Sequence, residues 1–177
     1  GEIEDGFQYN IEELFGNLKA AQLADAAAAK RGKKLNIHLA LNAGGMDRNG
    51  LALDTESGKA DALAIAKLPH LNIVGIMTHF PVEDVADVKK GVQRFDEQRK
   101  WLIQAAKLDR SKLTLHTANS FTTVSVPEGR FDMVRPGALL YGEPIGGKQL
   151  EYVMAFKSRV GSVNSYPKGS TVGYDRT

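Results

Sequence analysis

Apolar positions along the chain alternate between two periods, and the alternation sets out a repeated unit. Residues 7–17, with Phe7, Ile11, Leu14 and Phe15, predict a short strand that ends at Asn17, a good helix cap. Leu18 to Arg31 is rich in Ala, has Leu18, Ala21, Gln22 and Ala28 at helical spacing, and predicts a helix. Gly32 supplies its left-handed stop, and Lys30, Arg31, Lys33 and Lys34 are the cations expected at a helix C-terminus. Leu35 to Leu41 alternates and predicts a second strand, Ser57 to Leu68 a helix stopped near Pro69, and Leu71 to Met77 an apolar strand. Asp84 to Leu108 predicts a long helix with Val85, Val88, Val92, Phe95 and Leu102 on one side. There Trp101 and Phe95 read as packing residues. Leu113 to His116 and Met133 to Arg135 complete the set. Four to five strands, each separated by about the length a βαβ crossover needs, predict an α/β fold with a parallel sheet. After Gly146-Gly147 the texture changes. Tyr152 to Val163 alternates apolar and polar residues, Tyr166-Pro167-Lys168-Gly169 is a turn, and a further strand begins at Thr171. The expected division is therefore 1–147 for the α/β part and 148–177 for the start of an antiparallel β domain.

Composition narrows the classes. The 177 residues are 42% hydrophobic and 25% charged, ordinary globular usage. A net charge of +2, with no basic face interleaved with aromatics, speaks against nucleic acid as a partner. Cysteine is absent, which removes disulfides, thiolate catalysis and cysteine-based zinc sites. No run approaches the roughly 20 apolar residues of a membrane-spanning helix. The opening Gly-Glu-Ile-Glu-Asp is neither a signal pattern nor a translation start, so the chain is expected to be an internal piece of a longer polypeptide.

The candidate chemistry sits at strand ends. Ser120 offers a hydroxyl just past one strand, and Gly137 and Ala138 offer backbone amides just past another. Together they suit a small anion, most simply a phosphate. Arg135, set before Pro136, is a permanent cation and a pure donor. The same residues also read as a surface ion pair beside an ordinary Pro-Gly turn. The loop Asn42–Gly50 lacks the Gly-Lys-Ser/Thr ending of a phosphate loop, and its Arg48 and Asn49 are candidates for binding a carboxylate. His79, at the end of a strand, could be a base, a ligand or a packed hydrogen-bonding residue.

Set in order, these segments resemble the pyridoxal-phosphate-dependent alanine racemase family. The matching stretches are His38-Leu39 with Met46-Asp47-Arg48, Thr78-His79-Phe80, His116-Thr-Ala-Asn119-Ser120, Phe131-Asp-Met-Val-Arg135-Pro136-Gly137, Leu140-Tyr141-Gly142 and Gly173-Tyr174. The resemblance implies part of a (β/α)8 TIM barrel followed by the start of an antiparallel β domain. It implies pyridoxal 5'-phosphate as cofactor, an amino-acid substrate, and a homodimer with composite active sites. Arg135 would face the pyridine nitrogen. Ser120 with the amides of Gly137 and Ala138 would hold the phosphate, with His79, His116 and Asn119 in the cofactor's surroundings. Arg48, with Asn49 and Met46, would meet the substrate, Arg48 lying near the phenolic oxygen and the carboxylate. Tyr174 would be one of two catalytic bases, acting in the partner's site, with His116 as the neighbour that favours its phenolate. A guanidinium does not readily give up a proton, so the ring nitrogen should stay an acceptor and the carbanion be quickly reprotonated, favouring racemisation over transamination.

Two departures from the alanine racemase pattern refine this. The loop Asn42-Ala43-Gly44-Gly45-Met46 is one residue longer than usual, and Ala40 stands where a lysine is typical. Ala40, Asn42, Gly44, Arg48 and Asn49 are similar to the broad-specificity amino-acid racemase branch. That implies longer and basic substrates and a periplasmic location, where a strict alanine racemase implies the cytoplasm. The lysine that carries the cofactor lies in the family's first barrel strand, outside these residues, so this segment alone is expected to be inactive and not to fold stably. The rival readings are a non-catalytic pyridoxal-phosphate-binding barrel, a barrel decarboxylase, against which Arg135 tells, and a purely structural module.

Overall fold

A computed structural model describes residues 2–171. A short helix, α1 (Glu2–Tyr9), leads into β1 (Glu13–Phe15), α2 (Leu18–Lys30), β2 (Leu35–Ala40), α3 (Glu56–Ala66), β3 (Leu71–Met77), α4 (Val85–Ala105), β4 (Thr114–His116) and α5 (Ser120–Ser125). The four strands form one sheet in the order β1-β2-β3-β4, every neighbouring pair parallel. Sequential order with a helix in each crossover is how a (β/α) barrel wall advances.

The helices begin where side chains can satisfy orphan amides. Asn17 accepts from the amide of Ala20, Thr55 from Gly58, Asp84 from Asp87 and Asn119 from Thr122. Alternation along the strands then sorts the two faces of the sheet. Ile37, Leu39, Ile76 and Leu115 are fully buried against Ala21, Ala24, Ile65, Phe95 and Leu102 of the helices. Trp101 packs at the margin of this core, and Phe95 stands edge-on to Phe131 at 5.2 Å, as packing residues should. The opposite, inner face carries Leu14, His38, Met77, Thr114 and His116 around a shared hollow.

Three expectations are corrected. Phe7, read as part of a strand over residues 7–17, lies in α1, and the strand there is confined to β1. Met133 to Arg135 is not a strand: it makes a single parallel bridge, Ala118 to Val134, and Arg135 is anchored by its amide to the carbonyl of Ala118 at 2.8 Å. The alternating stretch Tyr152 to Val163 forms no strand either, and its Phe156 is 95% exposed. Strand hydrogen bonds are made to a neighbouring strand, and among the described residues none runs beside this segment, which touches the rest of the chain through Val153 donating to the carbonyl of Tyr141. Among the described residues no helix is long and apolar enough to cross a membrane.

Candidate functional site

The strand C-termini converge on Arg135. One guanidinium nitrogen lies 2.7 Å from Nδ1 of His116, and the other donates to the carbonyl of Thr78 at 3.0 Å and lies 3.4 Å from Nδ1 of His79. β3 and β4 thus hold the arginine from two sides, through Thr78-His79 and His116 respectively. His116 continues inward: its Nε2 lies 2.7 Å from Nδ1 of His38 on β2, and Nε2 of His38 lies 2.8 Å from Oε2 of Glu12, which precedes β1. Glu12 ahead of β1, His38 on β2 and His116 on β4 therefore join in one polar row that ends on Arg135, whose other side is held by Thr78 and His79 after β3.

Electrostatics keep His116 uncharged. Burial, then the guanidinium of Arg135, then His38 lower the His116 pKa to about 3, so its imidazole is neutral at any ordinary pH. Burial, Arg135 and Arg48 lower that of His79 in the same direction. His116 was expected to favour a phenolate at Tyr174. Both its ring nitrogens are already engaged and the ring carries no charge, so it is poorly equipped for that role. Tyr174, with Gly173, lies outside the described residues.

Beside the arginine, Ser120 opens α5. Its Oγ accepts from the amide of Gly137 at 3.0 Å and from that of Leu139 at 3.3 Å. Ala138 lines the same cavity, but the amides that reach Ser120 are those of Gly137 and Leu139. A side chain at Gly137 would meet nothing within 4 Å, so the cavity beside Ser120 is open on this side. Convergent amides and a hydroxyl suit a phosphate, and a pure donor set apart from them at Arg135 suits a ring nitrogen, so the residues present fit pyridoxal 5'-phosphate. Asn119 spends its side chain on the protein, capping α5 with its oxygen and donating to the carbonyl of Phe80 at 3.2 Å.

A second cleft opens on the other side of His79, lined by Ala40, Asn42, Met46, Arg48, Asn49 and Met77 among others. Its loop is tied down at both ends. The amide of Gly44 donates to Oγ1 of Thr78, which itself donates to the carbonyl of Leu41, and Asn42 bridges to Asp47. A Cβ at Gly44 would stand 2.0 Å from the carbonyl oxygen of His79, so only glycine lets the loop approach this closely. Arg48 and Asn49 are thereby brought to the edge of the same strand ends that hold Arg135. The residues not singled out for a role from sequence are Glu12, His38 and Thr78. Glu12 carried no motif signal, His38 only that of its neighbours, and Thr78 acts through its backbone carbonyl and hydroxyl.

Comparison with known proteins places this geometry. The N-terminal domain of alanine racemases matches residues 1–144. A broad specificity amino-acid racemase of Pseudomonas putida is 56% identical over 177 residues, 99% of this chain and 43% of that protein. A lysine racemase of Proteus mirabilis is 47% identical over 176 residues, again 43% of its length. An alanine racemase of Chlorobaculum tepidum is 33% identical over 185 aligned residues. Among solved structures, the alanine racemase of Clostridium difficile 630 superposes with a TM-score of 0.74 at 26% identity, covering 98% of this chain and 46% of that one. The alanine racemase of Bartonella henselae, whose structure carries covalently bound pyridoxal phosphate, shares the fold with a TM-score of 0.63 at 24% identity, covering 82% of this chain and 40% of that one. The chain spans less than half the length of the curated relatives it matches. The chain belongs to the alanine racemase family, residues 1–144 being a stretch of that family's N-terminal domain.

Proposed function

We propose that the protein containing this chain interconverts L- and D-amino acids with pyridoxal 5'-phosphate, accepting several substrates including basic ones. The observation that carries this reading is Arg135: a guanidinium held by two strand ends, facing an open cavity beside the Ser120 hydroxyl and its amides. The cofactor, when bound, supplies an electron sink for the substrate's α-carbon. Ser120 and the amides of Gly137 and Ala138, which line the same cavity, would bind its phosphate. Arg135 would donate to the pyridine nitrogen and leave it without an added proton, which favours racemisation. Arg48, with Asn49 and Met46 in the cleft beyond His79, would bind the substrate carboxylate. Ala40 and Asn42 leave that cleft without a long side chain from the end of β2, which supports admission of longer amino acids, as do the names of the Pseudomonas and Proteus relatives.

The remainder follows the same resemblance. Tyr174 would move the α-proton at its Oη, in the active site of the partner protomer of a homodimer. Residues 148–177 would begin the β domain, and the location would be periplasmic. The test uses the full-length protein: Ala, Lys and Arg are each incubated in deuterated solvent, and loss of optical rotation and α-hydrogen exchange are measured. Exchange with all three is expected. Exchange confined to Ala would make it a strict alanine racemase, and carbon dioxide release from a basic amino acid would overturn the racemase reading.

A further inference from the structure

Glu12 and His38 line neither the anion cavity nor the Arg48 cleft, yet the fold takes trouble over them. β2 and β3 slip register between Ile37 and His38, so that His38 lies beside Gly75 and Val74 is skipped. A Cβ at position 75 would stand 2.0 Å from Nδ1 of His38. The bulge and the glycine together make room for one imidazole, 9% exposed, on the inner face. We propose that Glu12 is a positioning residue: through His38 and His116 it fixes the proton order that holds Arg135 as a donor against the cofactor. This rests on the reading that Arg135 faces the pyridine nitrogen.

The reasoning is a count of protons. A guanidinium only donates and an ionised carboxylate only accepts. Between them stand two imidazoles and three hydrogen bonds. One arrangement satisfies all three. Arg135 donates to Nδ1 of His116, Nε2–H of His116 to Nδ1 of His38, and Nε2–H of His38 to Glu12. The other tautomer of His38 would aim its proton at Nε2 of His116, push the His116 proton onto Nδ1, and set N–H against N–H at Arg135. Glu12 excludes that order from its end of the row. Without it, Arg135 alone must enforce the order, and His38 Nε2–H loses its partner, so the arginine's seat loosens.

The test is made on the full-length holoenzyme with 15N-labelled histidine, reading ring tautomers by long-range proton–nitrogen NMR beside steady-state kinetics. The wild type is expected to show Nε2–H at both His38 and His116. Glu12→Ala should mix the tautomer at His38 and lower kcat about tenfold with KM little changed, in the range typical of lost supporting hydrogen bonds. Glu12→Gln, which keeps an acceptor oxygen, should retain Nε2–H at both rings and most of kcat. An Nδ1–H tautomer at either ring of the wild type, or Glu12→Ala with unaltered tautomers and kcat, overturns the proposal. Should Glu12→Ala fail to fold, Gly75→Ala breaks the row at His38, and an unchanged kcat there overturns it equally. The tautomer readout needs no turnover. A wild type that exchanges no α-hydrogen would sink the racemase reading while leaving the proton order to be judged by itself.

Discussion

The two faces of one sheet are built on opposite principles. The outer face, Ile37, Leu39, Ile76 and Leu115 against the helices, is apolar throughout. Such packing is non-directional, and similar side chains can replace one another with modest loss. The inner face runs Glu12, His38, His116 and Arg135 through three hydrogen bonds in a row, where each member depends on its neighbour's protonation. The middle of that row, His38 and His116, is buried, and such a row is stable when fully satisfied and vulnerable when one member is lost. Stability therefore resides mainly on one face and specificity of chemistry on the other, although adjacent residues of the same strand serve both.

Substitutions in the full-length protein break this contrast in order of size. Phe95→Ala, in the fully buried helix layer, should lower unfolding free energy by about 3–5 kcal/mol in a denaturant titration, with kcat of the folded enzyme little altered. Arg135→Glu should do the reverse, reducing kcat about 100- to 1,000-fold, as for other aligned donors in active sites. Loss of turnover without a comparable loss of stability would confirm the division of labour, and retained turnover would refute it.

Acid should find the inner face next. His116 has a folded pKa of about 3, below the 6.5 of an unfolded histidine, so between those values the unfolded chain binds the extra proton. Its contribution is complete above about pH 6.5 and is lost as pH falls toward 3, with a slope of at most about 1.4 kcal/mol per pH unit. Urea midpoints measured from pH 7 to pH 4 check this. His116→Asn, which cannot be titrated, should flatten the dependence. The smallest effect belongs to the solvent side of the helices. Glu56→Gln removes an ion pair to Lys59 from a carboxylate side chain 91% exposed, and the denaturation midpoint should barely move.

The elements were legible because they rest on local pattern. The predicted bounds of the helices after Asn17 and Asp84 and of β3 agree with those observed to within a few residues, since caps and apolar spacing act over a few positions. Ser120 and His79 were legible as polar residues just past strands and Arg135 as a cation set before a proline, although no strand carries it, and the structure brings them around one cavity. The alternating stretch after Gly146-Gly147 misled, because alternation describes a face and the described residues provide no neighbouring strand for it.

What the amino-acid order determined alone was the α/β rhythm, the caps, and which residue types stand at strand ends. Tertiary structure decided the partnership of Glu12 with His38, 26 positions apart, and of His38 with His116, 78 apart. It also decided the slip in register that puts Gly75 beneath an imidazole. Local preferences extend over a turn or a strand, whereas the direction of a hydrogen-bonded row depends on which distant strands lie side by side, and only folding brings those together.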